Sequence, residues 1–190
     1  GIEDLRFVDS LDLAELLYVV FPPEASLDDS LRVAYENQLG LTEVEAMRWV
    51  VDQAKFDVFL PALRLKFSES WGGVIYDPKT GRIVLLSTDV TLLEATAPNL
   101  EDLLPFVDLM PVFHTSDEID AAYMRVHDSA GALVEKFGKD AASHVVIAAD
   151  IRHNDIRVDV DPSVLLDDGT IRLLTDAARP VEIRVNVTPI

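Results

Sequence analysis

The sequence predicts an α+β protein of two small lobes, each built from a long helix followed by an antiparallel sheet. In each half, apolar residues first recur at the spacing of an amphipathic helix and then alternate as in a β-hairpin. The two halves share little sequence, so the expected repeat is one of topology. We therefore expect a helical lead-in over residues 1–30, a first lobe over 31–113 and a second lobe over 114–190.

The lead-in and the start of the first lobe contain two expected helices. Asp9 or Ser10 is placed to cap a helix that ends before Pro22. A second helix runs from about Asp28 to Leu39 and carries acidic residues in its first turn, where they interact favourably with the helix dipole.

The first long helix begins at Thr42, which forms a capping-box pattern with Glu45. Its expected apolar stripe consists of residues at helical spacing, namely Val44, Met47, Val51, Ala54, Val58, Leu63 and Phe67. Pro61 falls inside this stripe, so we expect a kink or a break into two helices there.

A β-hairpin is expected after this helix. Trp71–Tyr76 and Arg82–Ser87 alternate as strands, and residues 77–81 have the composition of a turn. Trp49 and Trp71 are expected in the core or at an interface between the lobes, because large aromatic side chains bury extensive apolar surface.

The second half repeats this order of elements. A short helix is expected over Leu92–Ala97, followed by an extended segment over 103–113. The second long helix runs from Ser116 to Phe137, with Ser116 or Asp117 as its cap and Gly138 as its stop. Its apolar face consists of Ile119, Ala122, Tyr123, Val126, Ala130, Leu133, Val134 and Phe137.

A second hairpin and a last strand complete the second lobe. The hairpin pairs His144–Ile151 with Ile156–Val160 around a turn at residues 152–155. Residues 165–174 read as a connector, and Val181–Val187 alternates as a final strand.

Composition and charge exclude several classes of partner. The 190 residues include 34 acidic and 16 basic side chains, for a net charge of −18. Nucleic acid and anionic membranes bind surfaces rich in Lys and Arg, so neither is an expected partner. The charge promotes solubility or steers the chain towards a basic partner. Cysteine is absent, which excludes disulfides and thiolate metal sites, and no apolar run reaches the roughly 18 residues that span a bilayer.

Two stretches follow the pattern of a known family. The first contains Gly40-Leu41-Thr42-Glu43-Val44-Glu45-Ala46, Trp71-Gly72-Gly73-Val74-Ile75-Tyr76-Asp77 and Gly81-Arg82-Ile83-Val84. The second contains Phe113-His114-Thr115-Ser116 and Asp150-Ile151-Arg152-His153-Asn154. Over residues 31–187 this order resembles the pro-region of actinobacterial chymotrypsin-like serine proteases of the streptogrisin and alpha-lytic protease type. The aromatic residue that the family places before the Asp of the second hairpin is replaced by Ala148.

The resemblance implies a non-catalytic domain that serves as an intramolecular chaperone and tight inhibitor of a secreted chymotrypsin-like protease. The protease domain would be present in cis or in trans, and the C-terminal lobe would template its folding. The tail after the last strand would lie in the active-site cleft like a product. The resemblance also implies a secreted protein, and Gly1 in place of Met is expected where a signal peptide has been removed.

The residues that the resemblance assigns to protease contact lie in the second hairpin, the last strand and the tail. They are Asp150, Arg152, Asn154, Ile156, Val158, Val181, Ile183, Val185, Val187, Thr188, Pro189 and Ile190. Such a strand edge is suited to pairing with a hairpin of the protease.

The sequence lacks the motifs of common enzymes. No serine lies in a Gly-Asp-Ser-Gly setting, and neither a Gly-x-Ser-x-Gly elbow nor a Walker or dinucleotide-binding motif is present. The four histidines lack zinc-site spacing, and the acidic residues of 159–168 lack the spacing of a calcium loop. Asp150, His153 and Asp155 are expected to stabilise the hairpin turn. We therefore expect neither metal nor cofactor.

Two other functions are kept as alternatives. The chain is also consistent with a stand-alone secreted domain of the same fold that binds another protein. A third hypothesis is a small-molecule enzyme that uses carboxylates between the lobes, and a deep apolar pocket holding a carboxyl group of raised pKa would favour it.

Overall fold

The computed structural model describes residues 29–91, 105–142, 144–164 and 166–188. Over these ranges the chain contains four helices and two three-stranded sheets, which confirms the predicted α+β class with two lobes. The helices expected near residues 10–21 and 92–97 lie outside the described residues.

The elements follow one another in the order helix, hairpin and third strand, twice over. The helices are α1 (Asp29–Leu39), α2 (Glu43–Lys66), α3 (Ser116–Ala142) and α4 (Asp168–Ala178). The strands are β1 (Trp71–Asp77), β2 (Arg82–Ser87), β3 (Val107–Pro111), β4 (Val145–Asp150), β5 (Asp155–Val160) and β6 (Ile183–Val187). The first sheet has the order β1-β2-β3 and the second has the order β4-β5-β6.

The described residues divide into two compact units. The first unit contains residues 29–68, 76–85, 89–91 and 105–110. The second contains residues 69–75, 86–88, 111–142, 144–164 and 166–188. The long continuous part of the second unit begins at residue 111, close to the predicted lobe boundary at 113–114.

The start of α2 confirms the predicted capping box. The Glu45 N–H donates to the Thr42 hydroxyl oxygen at 3.3 Å, and the Thr42 N–H donates to the Glu45 carboxylate at 2.8 Å. These two bonds satisfy donors that a helix N-terminus otherwise leaves without partners. The helix is continuous through Pro61, so the predicted break does not occur. Burial of Phe59 and Leu63 on either side of the proline offsets the backbone bond that it cannot make.

The predicted apolar stripe of α2 is wrong over its first half. Val44 is 77% exposed and Met47 is 36% exposed. The buried face shares Leu63 and Phe67 with this stripe but is otherwise formed by other residues, namely Ala46, Trp49, Val50, Phe56 and Phe59. Apolar residues occur on several faces of α2, and the aromatic side chains occupy the core because they bury the most surface. Trp49 and Trp71 are both buried, as predicted.

The start of α3 differs from the prediction by one residue. Thr115, rather than Ser116 or Asp117, is the cap, because its hydroxyl accepts the Glu118 N–H at 3.2 Å. The Glu118 carboxylate in turn accepts the Thr115 N–H at 2.8 Å, so a second capping box precedes the second long helix. Gly138 interrupts the helical backbone with φ 82° and ψ 166°, in agreement with its predicted role as a stop.

The second sheet is mixed, which corrects the prediction of antiparallel sheets. Strand β5 pairs antiparallel with β4 and parallel with β6. Two parallel neighbours need a crossover between them, and α4 provides it. The sequence prediction placed a connector where α4 lies. Asp167 caps this helix by accepting the Thr170 N–H at 2.7 Å, and the buried Thr170, Leu174 and Ala178 follow at four-residue spacing.

The two sheets share one hydrogen-bond pattern. In each sheet, one backbone hydrogen bond joins the two strands of the hairpin at the end opposite the turn. Two further backbone bonds join the second strand to the third, which runs parallel to it. The equivalent pairs are Ser70–Thr88 and His144–Asp161, Ile83–Phe106 and Ile156–Glu182, and Ser87–Val112 and Val160–Thr188. The repeat predicted from the sequence is therefore present as a repeat of topology.

Candidate functional site

The predicted contact residues lie on the second sheet, whose two faces differ in chemistry. One face of β5 carries Ile156, Val158 and Val160, which are buried against residues of α3 and α4. Strand side chains alternate between faces, so Asp155, Arg157 and Asp159 occupy the other face. The sheet is thus apolar towards its helices and polar on the opposite side.

Three of the predicted contact residues are part of the core. Ile156 and Val158 are fully buried, and Val181 is 2% exposed. Because β5 lies between β4 and β6, its backbone is also paired on both sides. The side chains of these three residues therefore stabilise the second unit and do not reach a partner.

The hairpin end of the polar face carries a network of charges around Arg184. Its Nη2 lies 2.6 Å from Asp150 Oδ2, and its Nε lies 2.9 Å from Asp155 Oδ2. Asp150 and Asp155 are directly opposite each other on β4 and β5. Like charges in that position repel. The guanidinium of Arg184 on β6 offsets this repulsion because it pairs with both carboxylates.

His153 extends this network at the turn. The ring Nδ1 of His153 lies 2.9 Å from Asp150 Oδ2, and the backbone N–H of His153 donates to Asp150 Oδ1 at 3.2 Å. Burial acts to raise the pKa of Asp150, but hydrogen bonds from His153 and Arg184 outweigh it and hold that pKa below its usual value. The hydrogen bonds that Arg184 donates to Asp155 and Asp150 raise the pKa of its guanidinium. Asp150 is therefore held as a carboxylate by its own chain.

Asn154 has a structural role that the sequence did not reveal. It adopts φ 57° in the turn, a conformation that Asn tolerates better than most residues. Its Oδ1 accepts the N–H groups of Phe113 and His114 at 2.9 and 2.8 Å, and its Nδ2 donates to the His114 carbonyl at 2.8 Å. This side chain fixes the backbone that leads into α3.

Arg152 faces solvent at the turn, as does the neighbouring His153. Arg152 is exposed and forms no ion pair with another described side chain. Of the three predicted turn residues Asp150, Arg152 and Asn154, it alone has a side chain that its own lobe does not use. A partner with an acidic group has access to this guanidinium.

Among the described strands, β6 forms one outer edge of the second sheet. The Glu182 carbonyl accepts the Ile156 N–H, and the Thr188 N–H donates to the Val160 carbonyl, both at 2.9 Å. In a parallel strand the two backbone groups of one residue point the same way and alternate along the chain. The N–H and C=O groups of Ile183, Val185 and Val187 therefore point away from β5. All three were among the predicted contacts, whereas Pro189 and Ile190 lie outside the described residues.

The polar partners on this face were missing from the sequence prediction. Asn186 Nδ2 donates to Asp159 Oδ1 at 3.0 Å, and Arg157 Nε lies 3.0 Å from Asp159 Oδ2. The signal available in the sequence was alternation, since Asp155, Arg157 and Asp159 occupy every second position, as do Arg184 and Asn186. Only the strand register shows which of these charges meet.

The described residues contain no group of three or more side chains placed to hold a metal ion. None of the helices in those ranges is long and apolar enough to cross a membrane. No protein-family model matches the chain, and a search of curated proteins gave no significant match. The candidate site therefore rests on its own geometry, as a strand edge beside a compact charge network.

Proposed function

We propose that this chain binds the catalytic domain of a secreted chymotrypsin-like serine protease and acts as its folding helper and inhibitor. The binding surface is the outer edge of β6, to which a β-hairpin of the protease adds as a further strand. The observation that carries this proposal is the outward direction of the backbone groups of Ile183, Val185 and Val187. Those groups are in the arrangement that strand addition requires.

The composition of β6 supports a paired edge. Free edge strands are usually protected against pairing with another chain by a lysine, a proline or a β-bulge, or by being very short. The five residues of β6 contain neither Lys nor Pro, and Arg184 is engaged by Asp150 and Asp155. Val187, at the end of the strand, is 69% exposed. An apolar edge without protection is expected where a partner covers it.

The charge of the chain supports the same partner class. A net charge of −18 accelerates association with a basic surface and makes the association rate fall as salt rises. Folding help has a physical basis, because β-barrel proteases depend on contacts distant in sequence and such folds form slowly. A preformed strand edge gives the folding barrel a template.

The decisive experiment is a stoichiometric titration of the full chain against streptogrisin-type proteases, with hydrolysis of a short peptide substrate as the readout. We expect activity to fall linearly to an endpoint of one chain per protease while the chain stays uncleaved. Rapid digestion of the chain without inhibition would contradict the proposal. That result would favour the alternative, a stand-alone domain of this fold with another protein partner.

The tail has its own test within this proposal. Deleting residues 188–190 should weaken inhibition and leave the fold intact, with an unchanged circular dichroism spectrum and a melting temperature lowered only slightly, because the backbone bond from Thr188 to Val160 is the described sheet contact that is lost. If the shortened chain inhibits as strongly as the full chain, the tail does not occupy the active-site cleft. The proposed binding surface is then the β6 edge alone.

A further inference from the structure

The first unit contains a cleft of about 260 Å³ that the proposed function does not use. One wall is a single face of α2, since Glu45, Arg48, Trp49 and Asp52 follow at the spacing i, i+3, i+4 and i+7. The other wall is the turn between β1 and β2, residues 78–82, with Phe106 also contributing to the lining.

Asp52 is a buried and weakly compensated charge in this cleft. The residue is 8% exposed, and Arg48 is the cation within ion-pair distance, at 3.5 Å from Nε to Oδ2. The Arg48 side chain is 79% exposed, so this pair stabilises the carboxylate weakly. A buried carboxylate is stable only when it is well paired or hydrogen-bonded. Burial accordingly raises the pKa of Asp52 against the opposing effects of Lys55 and Arg48.

The opposite wall offers a cation that has no ion-pair partner among the described side chains. The guanidinium of Arg82 is engaged by the carboxylate of Asp108 and by the Pro105 carbonyl. Lys79 is exposed, and its ammonium group forms no ion pair with another described side chain. The cleft therefore presents a weakly paired carboxylate on the helix and an exposed ammonium group on the turn.

Apolar side chains also line this cleft. Leu41, Trp49, Pro78 and Phe106 all line the cleft. Pockets for drug-sized ligands measure about 300–1,000 Å³, so a volume of about 260 Å³ selects a smaller molecule. The matching ligand has one positive group, one negative group and a short apolar side chain.

We propose that this cleft binds a free apolar α-amino acid. Its ammonium group pairs with Asp52, its carboxylate with Lys79 and Arg48, and its side chain packs against the apolar lining. Every residue that forms this site belongs to the first unit, whereas the proposed protease-binding edge of β6 belongs to the second.

The test is a titration of the full, ¹⁵N-labelled chain with L-leucine, followed by ¹H–¹⁵N correlation spectra. We expect saturable shifts confined to amides of residues 41–52, 78–82 and 106. Two analogues separate the charges: 4-methylpentanoate lacks the ammonium group, and 3-methylbutan-1-amine lacks the carboxylate. Each should bind at least about tenfold more weakly, because an ionic hydrogen bond is lost.

Variants of the charged residues on the two walls test whether L-leucine binds in this cleft. Lys79→Ala and Asp52→Asn should each weaken L-leucine binding by about tenfold or more, and Arg172→Ala on α4 is the matched surface control. Lys79 is exposed, so its variant keeps the test valid if Asp52→Asn disturbs folding. The proposal is overturned if L-leucine shifts no amide in these ranges, if either analogue binds as tightly, or if Lys79→Ala binds normally.

Discussion

The side-chain amide of Asn154 holds both polar groups of the His114 backbone. Its Oδ1 accepts the His114 N–H at 2.8 Å, and its Nδ2 donates to the His114 carbonyl at 2.8 Å. The same Oδ1 accepts the Phe113 N–H, so one buried side chain makes three hydrogen bonds to a segment forty residues away. A hairpin turn thereby fixes the entry to α3.

Asn154→Ala should therefore destabilise the protein by about 2–4 kcal/mol, because three hydrogen bonds of about 1 kcal/mol each are lost and a non-glycine residue stays at positive φ. Urea denaturation followed by circular dichroism measures this change. Asn154→Asp keeps the acceptor and loses the donor, so it should fall between the parent and Asn154→Ala. Equal stability of all three proteins would show that these bonds contribute nothing net.

The cap of α3 gives a second prediction. Thr115→Ala should cost about 1 kcal/mol, within the usual range of about 0.5–2 for loss of a capping side chain. Ser116→Ala is the matched control at the neighbouring position and should change the free energy of unfolding by less than about 0.5 kcal/mol. The opposite order of the two effects would restore Ser116 as the cap.

The charge network around Arg184 predicts that the stability of the protein falls at acidic pH. The folded-state pKa of Asp150 lies below its usual value, so its carboxylate adds stability above about pH 4 and loses it as pH falls through the folded value. Arg184→Met removes a cause of that low pKa and should move the midpoint of acid unfolding to higher pH. Arg179→Met is the control, because the ion pair of Arg179 among the described residues is an exposed one, with Asp176 on α4. The same acid midpoint for both variants would contradict the assignment.

The edge of β6 can be tested apart from the core behind it. Val185→Pro removes an outward N–H, which edge strands tolerate, and should weaken protease inhibition by at least about tenfold. Ile147→Pro is the matched control on the outer strand β4, since both side chains pack against the same core. Stability of each variant is measured by thermal unfolding. If Ile147→Pro loses inhibition and Val185→Pro does not, the binding surface is the β4 edge of the sheet and not the β6 edge.

Local patterns determined much of this fold. The pair Thr42 and Glu45 marked the start of α2, and the change of apolar period from helical to alternating spacing located both hairpins. Gly138 marked the interruption of α3. These features depend on residues within a few positions of one another, so they can be read without knowledge of what packs against them.

Tertiary structure decided which face of each element is buried and which charges meet. Helix α2 has apolar residues around much of its circumference, and packing buried Trp49 and Phe56 while leaving Val44 exposed. Strand β6 is parallel because α4 returns the chain to the same end of the sheet. That register alone brings Arg184 to Asp150 and Asp155, and it points the backbone groups of Val185 away from β5. Such contacts join residues about thirty positions apart, and their partners are fixed only when the strands align.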